Sequence, residues 1–229
     1  MLADVVIDQR FHGPPDSANG GYTCGLLGRE IDGPAEVTLR VPPPLGRPLR
    51  VLRRDDGVAL LDGETLVAEA RPAALELDVP APVSVEESRA AAARYPWRGR
   101  HPYPTCFVCG PDRDDGLAIY PGPVDGRELF AAPWTPEGSG EVAPELVWAA
   151  IDCPSGIVTD LFGGVGRMLL GRLTAELRVP VRAGEPHVVQ AWTLERDGRK
   201  LHTASALFTA TGELAAAARA VWIEVGPAG

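Results

Sequence analysis

Asp152 is the residue whose surroundings most clearly call for a chemical role. It lies in the segment ELVWAAIDCPSGIV, where nearly every neighbour is apolar. Ionised carboxylates are almost never fully buried unless they are paired with another group or take part in function, because removing their water costs free energy. Two interpretations follow. Asp152 is a catalytic general base or nucleophile, or it is a structural carboxylate bonded to backbone groups or to an arginine.

The segment Asn19-Gly20-Gly21 stands just before a second apolar run, TCGLLGREI. Asparagine often caps helices, so the pattern predicts a helix that starts here. The first turn of a helix presents unpaired N–H groups and a partial positive charge, and glycine lets a substrate approach them. Gly20 and Gly21 would then stabilise an oxyanion, with Asn19 binding substrate or capping the helix. The alternative is a plain cap and turn.

The four cysteines are Cys24, Cys106, Cys109 and Cys153, too few for a disulfide scaffold in a chain of 229 residues. Cys106 and Cys109 form a Cys-x-x-Cys pair, which is typical of zinc sites and of redox motifs. A structural zinc needs two more ligands, and Cys24 and Cys153 fall within predicted buried helices. We therefore expect a tight turn at this pair, with no metal and no cofactor.

No other enzyme class is indicated by the polar residues. The four histidines, His12, His101, His187 and His202, are scattered along the chain. The segment CPSGI lacks the Gly-x-Ser-x-Gly pattern of serine hydrolases, so Ser155 is interpreted as local structure.

Composition narrows the functional classes further. The chain is 45% hydrophobic and 23% charged, as in ordinary globular proteins, and its net charge of -9 argues against general nucleic-acid binding. No apolar run approaches the roughly 18 to 20 residues that span a bilayer, and the start MLADVVIDQRF lacks the features of a secretory signal. We therefore expect a cytoplasmic protein that binds neither nucleic acid nor membranes.

Two stretches of the chain repeat each other. LRVPPPLGRPLRV at 39–51 and LRVPVRAGEPHVV at 177–189 share seven residues at a constant offset of 138 residues. ETLVAEAR, ending at Arg71, aligns with GELAAAAR, ending at Arg219, at an offset of 148 residues, so the second copy has gained ten residues in between. Solenoid arrays have periods of about 20 to 50 residues, so this longer period indicates a duplicated domain.

Each copy has the same order of predicted elements. A strand is followed by one apolar helix and then by a meander of short strands, whose Gly-containing turns include Asp197-Gly198. In the first copy the predicted strands include DVVIDQRF before the helix and PLRVLRR and TLVAEARP after it. Ser84 is followed three residues later by Glu87, which predicts a capped helix between the copies. The predicted division is an N-terminal unit at 1–82, a linker at 83–104 and a C-terminal unit at 105–229.

This arrangement resembles the double hotdog architecture, an α+β fold with two tandem units, each an antiparallel sheet wrapped around one central helix. CFVCGPDRDDGLAIY (106–120) resembles the opening of hotdog thioesterases of the phenylacetate-pathway (PaaI-like) type. In that family a Gly-Gly turn starts the central helix, an Asp or Glu lies about two and a half turns further on, and a Gly follows four residues later.

Each unit carries half of that family pattern. Asp152 and Gly156 match the acid and the following glycine, but Ala143-Pro144-Glu145 stands where the Gly-Gly turn is expected. Asn19-Gly20-Gly21 matches the turn, but Gly28 stands where the acid is expected. Since hotdog thioesterases build each site from two helices, the resemblance implies one competent site and one dead site.

The resemblance implies an acyl-CoA thioesterase-like hydrolase. Asp152 would be its base or nucleophile, and Gly20-Gly21 would form its oxyanion site with Asn19 beside them. The partner would be a small-molecule acyl-CoA or other thioester, and the chain would form a homo-oligomer through exposed sheet edges. The alternative is a non-catalytic module that binds acyl-CoA or a related ligand. Pro154 is expected to kink or end the helix just past Asp152.

Overall fold

Each half of the chain folds into one helix followed by an antiparallel meander. The computed structural model describes residues 4–163 and 166–226. The elements of the first half are β1 (Val5–Val6), a 3-10 helix (Gln9–Phe11), α1 (Gly20–Gly28), β2 (Ala35–Leu39), β3 (Pro48–Arg54), β4 (Gly57–Asp62) and β5 (Thr65–Pro72).

The second half repeats this order after a short helix. Its elements are α2 (Val85–Ala92), β6 (Gly122–Pro123), β7 (Leu129–Trp134), α3 (Pro144–Ile157), a 3-10 helix (Val158–Phe162), β8 (Arg167–Leu177), β9 (His187–Asp197), β10 (Lys200–Thr209) and β11 (Leu214–Gly226). The Ser84 cap of α2 is confirmed as a capping box: the Ser84 hydroxyl accepts the Glu87 N–H, and the Glu87 carboxylate accepts the Ser84 N–H.

The strands form one antiparallel sheet in the order β1-β3-β4-β5-β2-β8-β11-β10-β9-β7-β6. The first five strands, β1-β3-β4-β5-β2, therefore have counterparts in the next five, which follow in the opposite order as β8-β11-β10-β9-β7. The two sets meet where β2 pairs with β8. The double arrangement of two units, each with a sheet and one central helix, is thus confirmed. The inserted residues lengthen one hairpin, since β9 and β10 have 11 and 10 residues where β3 and β4 have 7 and 6.

The two central helices, α1 and α3, pack against each other and against the sheet. Glycines on α1 allow this close approach. A Cβ atom on Gly25 would overlap the Glu145 backbone of α3, and one on Gly28 would lie 2.5 Å from the Trp148 ring. Side chains at these positions would push the helices apart, because packed interiors have little free volume.

Helix α3 continues through Pro154 to Ile157, so the expected helix end just past Asp152 is not found. Proline removes one backbone hydrogen bond from a helix, here the one to the Ala150 carbonyl. The next two carbonyls accept side-chain hydroxyls: Ser205 donates to the Ile151 carbonyl and Ser155 to the Asp152 carbonyl, both at 2.6 Å. Within the described residues, no helix has both the length and the apolar composition that a bilayer crossing requires.

Candidate active site

The start of α1 meets the middle of α3 at Gly21 and Asp152. The Gly21 N–H donates to Asp152 Oδ2 at 2.8 Å. A Cβ atom on Gly21 would overlap the Asp152 side chain, so only glycine allows this contact with the backbone unshifted. The acid of one unit and the glycine turn of the other therefore come together, as the resemblance implies.

Asn19 caps α1, as the sequence pattern predicts. Its Oδ1 accepts the Tyr22 N–H at 2.9 Å, which satisfies one amide of the first helical turn. Its Nδ2 points the other way and donates to Cys153 Sγ at 3.5 Å, with Cys106 Sγ at 3.9 Å. Asn19 therefore links the helix start to two cysteines, a contact that the sequence did not indicate.

In the first turn of α1, the Gly20 N–H is the backbone amide that remains without an acceptor among the described residues. The Gly21 N–H is bound to Asp152 and the Tyr22 N–H is bound to Asn19. Across residues 4–163 and 166–226, no acceptor is found for the Gly20 N–H, and Gly20 lines the adjacent cavity. Of the two glycines that the sequence predicts at an oxyanion site, Gly21 has its N–H bound to the Asp152 carboxylate, whereas Gly20 does not.

Asp152 is buried, with 1% of its surface exposed. Burial raises the pKa of Asp152 to about 8, and the Gly21 N–H opposes that rise because it stabilises the charged form. Its second oxygen, Oδ1, has no hydrogen-bond partner among the described residues. A buried polar atom without a partner is unusual and is often found at sites of function.

A cavity of about 280 Å³ adjoins Asp152. Its wall is mostly apolar, with a few polar groups near the two helices. The residues that line it are Gly13, Pro14, Ser17, Ala18, Asn19, Gly20, Leu39, Arg40, Val41, Pro42, Pro43, Trp97, His101, Pro102, Tyr103, Cys106, Cys109, Asp152, Cys153, Gly156, Gly166, Met168, Leu169, Leu170, Gly171, Trp222, Ile223 and Val225. An apolar concave site with a few converging polar groups is typical of small-molecule binding.

The segment that follows α2 forms part of this wall through Trp97 and Tyr103. Asp160 fixes it: Asp160 Oδ1 accepts from Trp97 Nε1 at 2.9 Å, and Oδ2 accepts from Arg100 at 2.7 Å. The sequence pattern predicts only a linker here. Its aromatic residues, in YPWRGRHPYP, are the signal that could have placed it at the site.

Three of the four cysteines meet beside the cavity. The Sγ atoms of Cys106, Cys109 and Cys153 all lie within 4.8 Å of one another. Hydrogen bonds from the Cys109 and Cys153 thiols hold the pKa of Cys106 well below that of an ordinary thiol. Burial lowers the pKa of His101, whose Nε2 lies 3.2 Å from Cys109 Sγ. The Cys-x-x-Cys spacing by itself predicts only a tight turn at Cys106 and Cys109.

The second, related site is closed. Trp148 packs its ring over Gly28, where the family pattern places an acid. Glu145, at the position of the missing Gly-Gly turn, accepts from Arg29 Nη1 at 3.0 Å. These contacts occupy the two positions where the family pattern places an acid and a glycine turn.

Solved structures share this fold over nearly the whole chain. A putative thioesterase II from Thermobifida fusca YX is 17% identical with a TM-score of 0.63, and the match covers 96% of this chain and 91% of that one. An acyl-CoA thioesterase II from Mycobacterium marinum is 12% identical with a TM-score of 0.59, covering 98% and 93%.

A protein of unknown function with a hot dog fold from Alicyclobacillus acidocaldarius is 10% identical with a TM-score of 0.59, covering 98% of this chain and 92% of its own. No protein-family model matches the chain, and no curated protein is significantly similar to it. At these identities the comparisons establish the double hotdog fold. The activity has to be argued from the site.

Proposed function

We propose that the protein hydrolyses a thioester, with Asp152 as the reactive carboxylate and the Gly20 N–H as the oxyanion donor. One observation carries the proposal. Asp152 Oδ2 is held by the Gly21 N–H while Oδ1 has no partner among the described residues, at the edge of a mostly apolar cavity. A carboxylate fixed through one oxygen presents the other in a defined direction, as general base catalysis requires.

The proposed reaction uses few groups. Asp152 Oδ1 takes a proton from water as the water oxygen attacks the carbonyl carbon, and the Gly20 N–H stabilises the resulting oxyanion. The C–S bond then breaks, and the leaving sulfur takes the proton from Asp152 and departs as the thiol, which restores the carboxylate. Direct attack by Asp152 to give a mixed anhydride is the nucleophilic variant of the same site. Label on Asp152 after a single turnover in ¹⁸O-labelled water would identify the anhydride route, since only water attack at the aspartyl carbonyl of the anhydride places ¹⁸O on the enzyme.

Cavity size indicates the substrate class. An apolar cavity of about 150 Å³ is enough to hold benzene, so about 280 Å³ accommodates an aryl group or a short acyl chain. The PaaI-like motif at 106–120 supports an aryl thioester, and the acyl-CoA thioesterase name of a structural neighbour supports coenzyme A as the thiol. We therefore propose aryl-CoA or short-chain acyl-CoA esters as substrates.

The test is thiol release from a panel of short, medium and aryl acyl-CoAs. Asp152→Asn keeps the size of the side chain and an oxygen for the Gly21 N–H, and its turnover is expected to fall about 10²- to 10⁴-fold. Glu145→Gln is the matched control, because it changes a half-buried carboxylate of the same helix at the second, related site. Its turnover per folded molecule should equal that of the wild type.

Binding without turnover would contradict the proposal. If no thioester is hydrolysed by the wild type and acyl-CoA binding is the same in Asp152→Asn, the protein is a binding module and Asp152 is structural. Calorimetric titration with a non-hydrolysable acyl-CoA analogue measures that binding directly.

A further inference from the structure

Cys106, Cys109 and Cys153 bring three sulfur atoms together from two distant parts of the chain. The Sγ atoms of Cys106 and Cys153 are 3.8 Å apart, and all three Sγ atoms lie within 4.8 Å of one another. All three residues line the cavity beside Asp152. The proposed hydrolysis uses none of these thiols.

The spacing of the sulfurs fits a tetrahedral metal ion. Zinc binds thiolate sulfur at about 2.3 Å, which places two sulfurs of a tetrahedral site about 3.8 Å apart. The Cys106–Cys153 separation of 3.8 Å equals that edge. Soft thiolate ligands select zinc and related ions over magnesium or calcium.

A tight turn and a side-chain amide hold Cys106 in place. The Gly110 N–H donates to the Cys106 carbonyl at 2.9 Å, which closes the turn. A Cβ atom on Gly110 would overlap the Cys106 backbone, so only glycine fits there. Asn19 Nδ2 donates to Cys106 Sγ at 3.9 Å. An amide directed at a sulfur stabilises the thiolate form that a metal requires.

Side-chain donors surround the other two sulfurs. Asn19 Nδ2 donates to Cys153 Sγ at 3.5 Å. His101 Nδ1 accepts the Tyr103 N–H at 2.9 Å, which places the ring proton on Nε2. His101 Nε2 therefore donates to Cys109 Sγ at 3.2 Å. Hydrogen bonds of this kind orient metal ligands and tune their basicity.

We propose that Cys106, Cys109 and Cys153 bind a divalent metal ion of the zinc class, with the fourth coordination position open to the cavity. Binding replaces three S–H bonds with three metal–sulfur bonds and releases three protons, so the centre carries one net negative charge. The donors from Asn19 and His101 offset that charge. This site goes beyond the proposed hydrolysis and does not depend on it.

The first test measures metal directly. The full-length protein, purified under reducing conditions with Zn²⁺ supplied, is analysed by plasma mass spectrometry and by titration with Co²⁺ alone. We expect about one zinc per chain and the intense absorption of a tetrahedral cobalt–thiolate centre. Cys109→Ser and Cys153→Ser should lose at least tenfold in metal affinity. Cys24→Ser, which changes a buried cysteine outside the cluster, is the control and should bind as the wild type does.

Wild-type measurements keep the proposal falsifiable if a cysteine variant fails to fold. A fully reduced wild type that holds less than about a tenth of an equivalent of zinc and gives no cobalt–thiolate absorption overturns the proposal. So does a Cys106–Cys153 disulfide found by mass spectrometry in protein alkylated as the cells are broken.

His101→Ala tests the open fourth position. If His101 acts only as a hydrogen-bond donor, the variant keeps about one zinc per chain and loses about 10- to 100-fold in affinity. Complete loss of zinc in this variant, with the fold intact by circular dichroism, would make His101 a fourth ligand and overturn the open position.

Discussion

Glu36 and Thr174 lie directly opposite each other where β2 pairs with β8. They are 138 residues apart, which is the offset of the sequence repeat. Each is therefore the other's counterpart, and the pseudo-twofold axis that relates the two units passes between them. That axis places the start of each central helix against the middle of the other, so the chain forms two related sites, of which the one at Gly21 and Asp152 is open.

Gly21→Ala should disable the proposed active site. Its Cβ atom would overlap the Asp152 side chain, so overpacking should lower the free energy of unfolding by about 1 to 3 kcal/mol and displace the carboxylate. Gly25→Ala is the matched control, since its Cβ atom meets Glu145 on the same helix pair. We expect both variants to lose stability in urea unfolding. Only Gly21→Ala should lose turnover per folded molecule.

Gly28 and Trp148 should be energetically coupled. Gly28→Ala places a methyl group about 2.5 Å from the indole ring and should cost about 1 to 3 kcal/mol. Trp148→Ala should cost about 3 to 5 kcal/mol because it empties a buried aromatic site. In the double variant the Gly28 cost should disappear, giving a coupling energy above about 0.5 kcal/mol in a double-mutant cycle. Additive costs would show that the indole does not close this site.

Ser84→Ala should destabilise α2 alone. The Ser84 hydroxyl and the Glu87 carboxylate satisfy each other's backbone amides, and loss of such a cap costs about 0.5 to 2 kcal/mol. Ser84→Asp keeps a capping oxygen and should retain most of the stability. Hydrogen exchange should show faster exchange in residues 85–92 for Ser84→Ala, and equal exchange in the two variants would contradict the capping role.

Asp160→Ala should loosen the cavity wall. It removes the acceptor for both Trp97 and Arg100, so we expect about 1 to 3 kcal/mol less stability and a higher KM for the thioester that proves to be the substrate. Asp125→Ala is the surface control. Asp125 pairs with Arg94 but is 91% exposed, and such pairs contribute about 0 to 1 kcal/mol. An unchanged KM in Asp160→Ala would show that the hydrogen bond from Trp97 to Asp160 does not affect substrate binding.

Local patterns predicted the meanders well. The segments PLRVLRR and TLVAEARP match β3 and β5 residue for residue, because alternation and turn residues are read within a few positions. The predicted strand DVVIDQRF is mostly absent, since only Val5–Val6 pair in the sheet. Asp8 accepts the Arg10 N–H at 2.8 Å instead and starts a 3-10 helix. Short polar side chains compete with strand pairing in this way.

The site was predictable only where a family pattern covered it. The pairing of Asp152 with Gly21 spans 131 residues and came from the resemblance, since no periodicity predicts so distant a contact. The family resemblance gave no information on Cys153, whose Sγ lies 3.8 Å from that of Cys106 although the two residues are 47 positions apart in the chain. Convergence of this kind depends on how two helices and a loop pack together, and sequence spacing does not encode it.

The sheet ends at both sides in a strand of only two residues, β1 and β6. β1 pairs with only Pro48 and Leu49, so among the described residues the other five residues of β3, Arg50–Arg54, have no β1 partner on that side. Such an uncovered stretch is a template for adding a strand from another molecule. Association of two copies through this stretch would be the edge-to-edge contact that the sequence predicts.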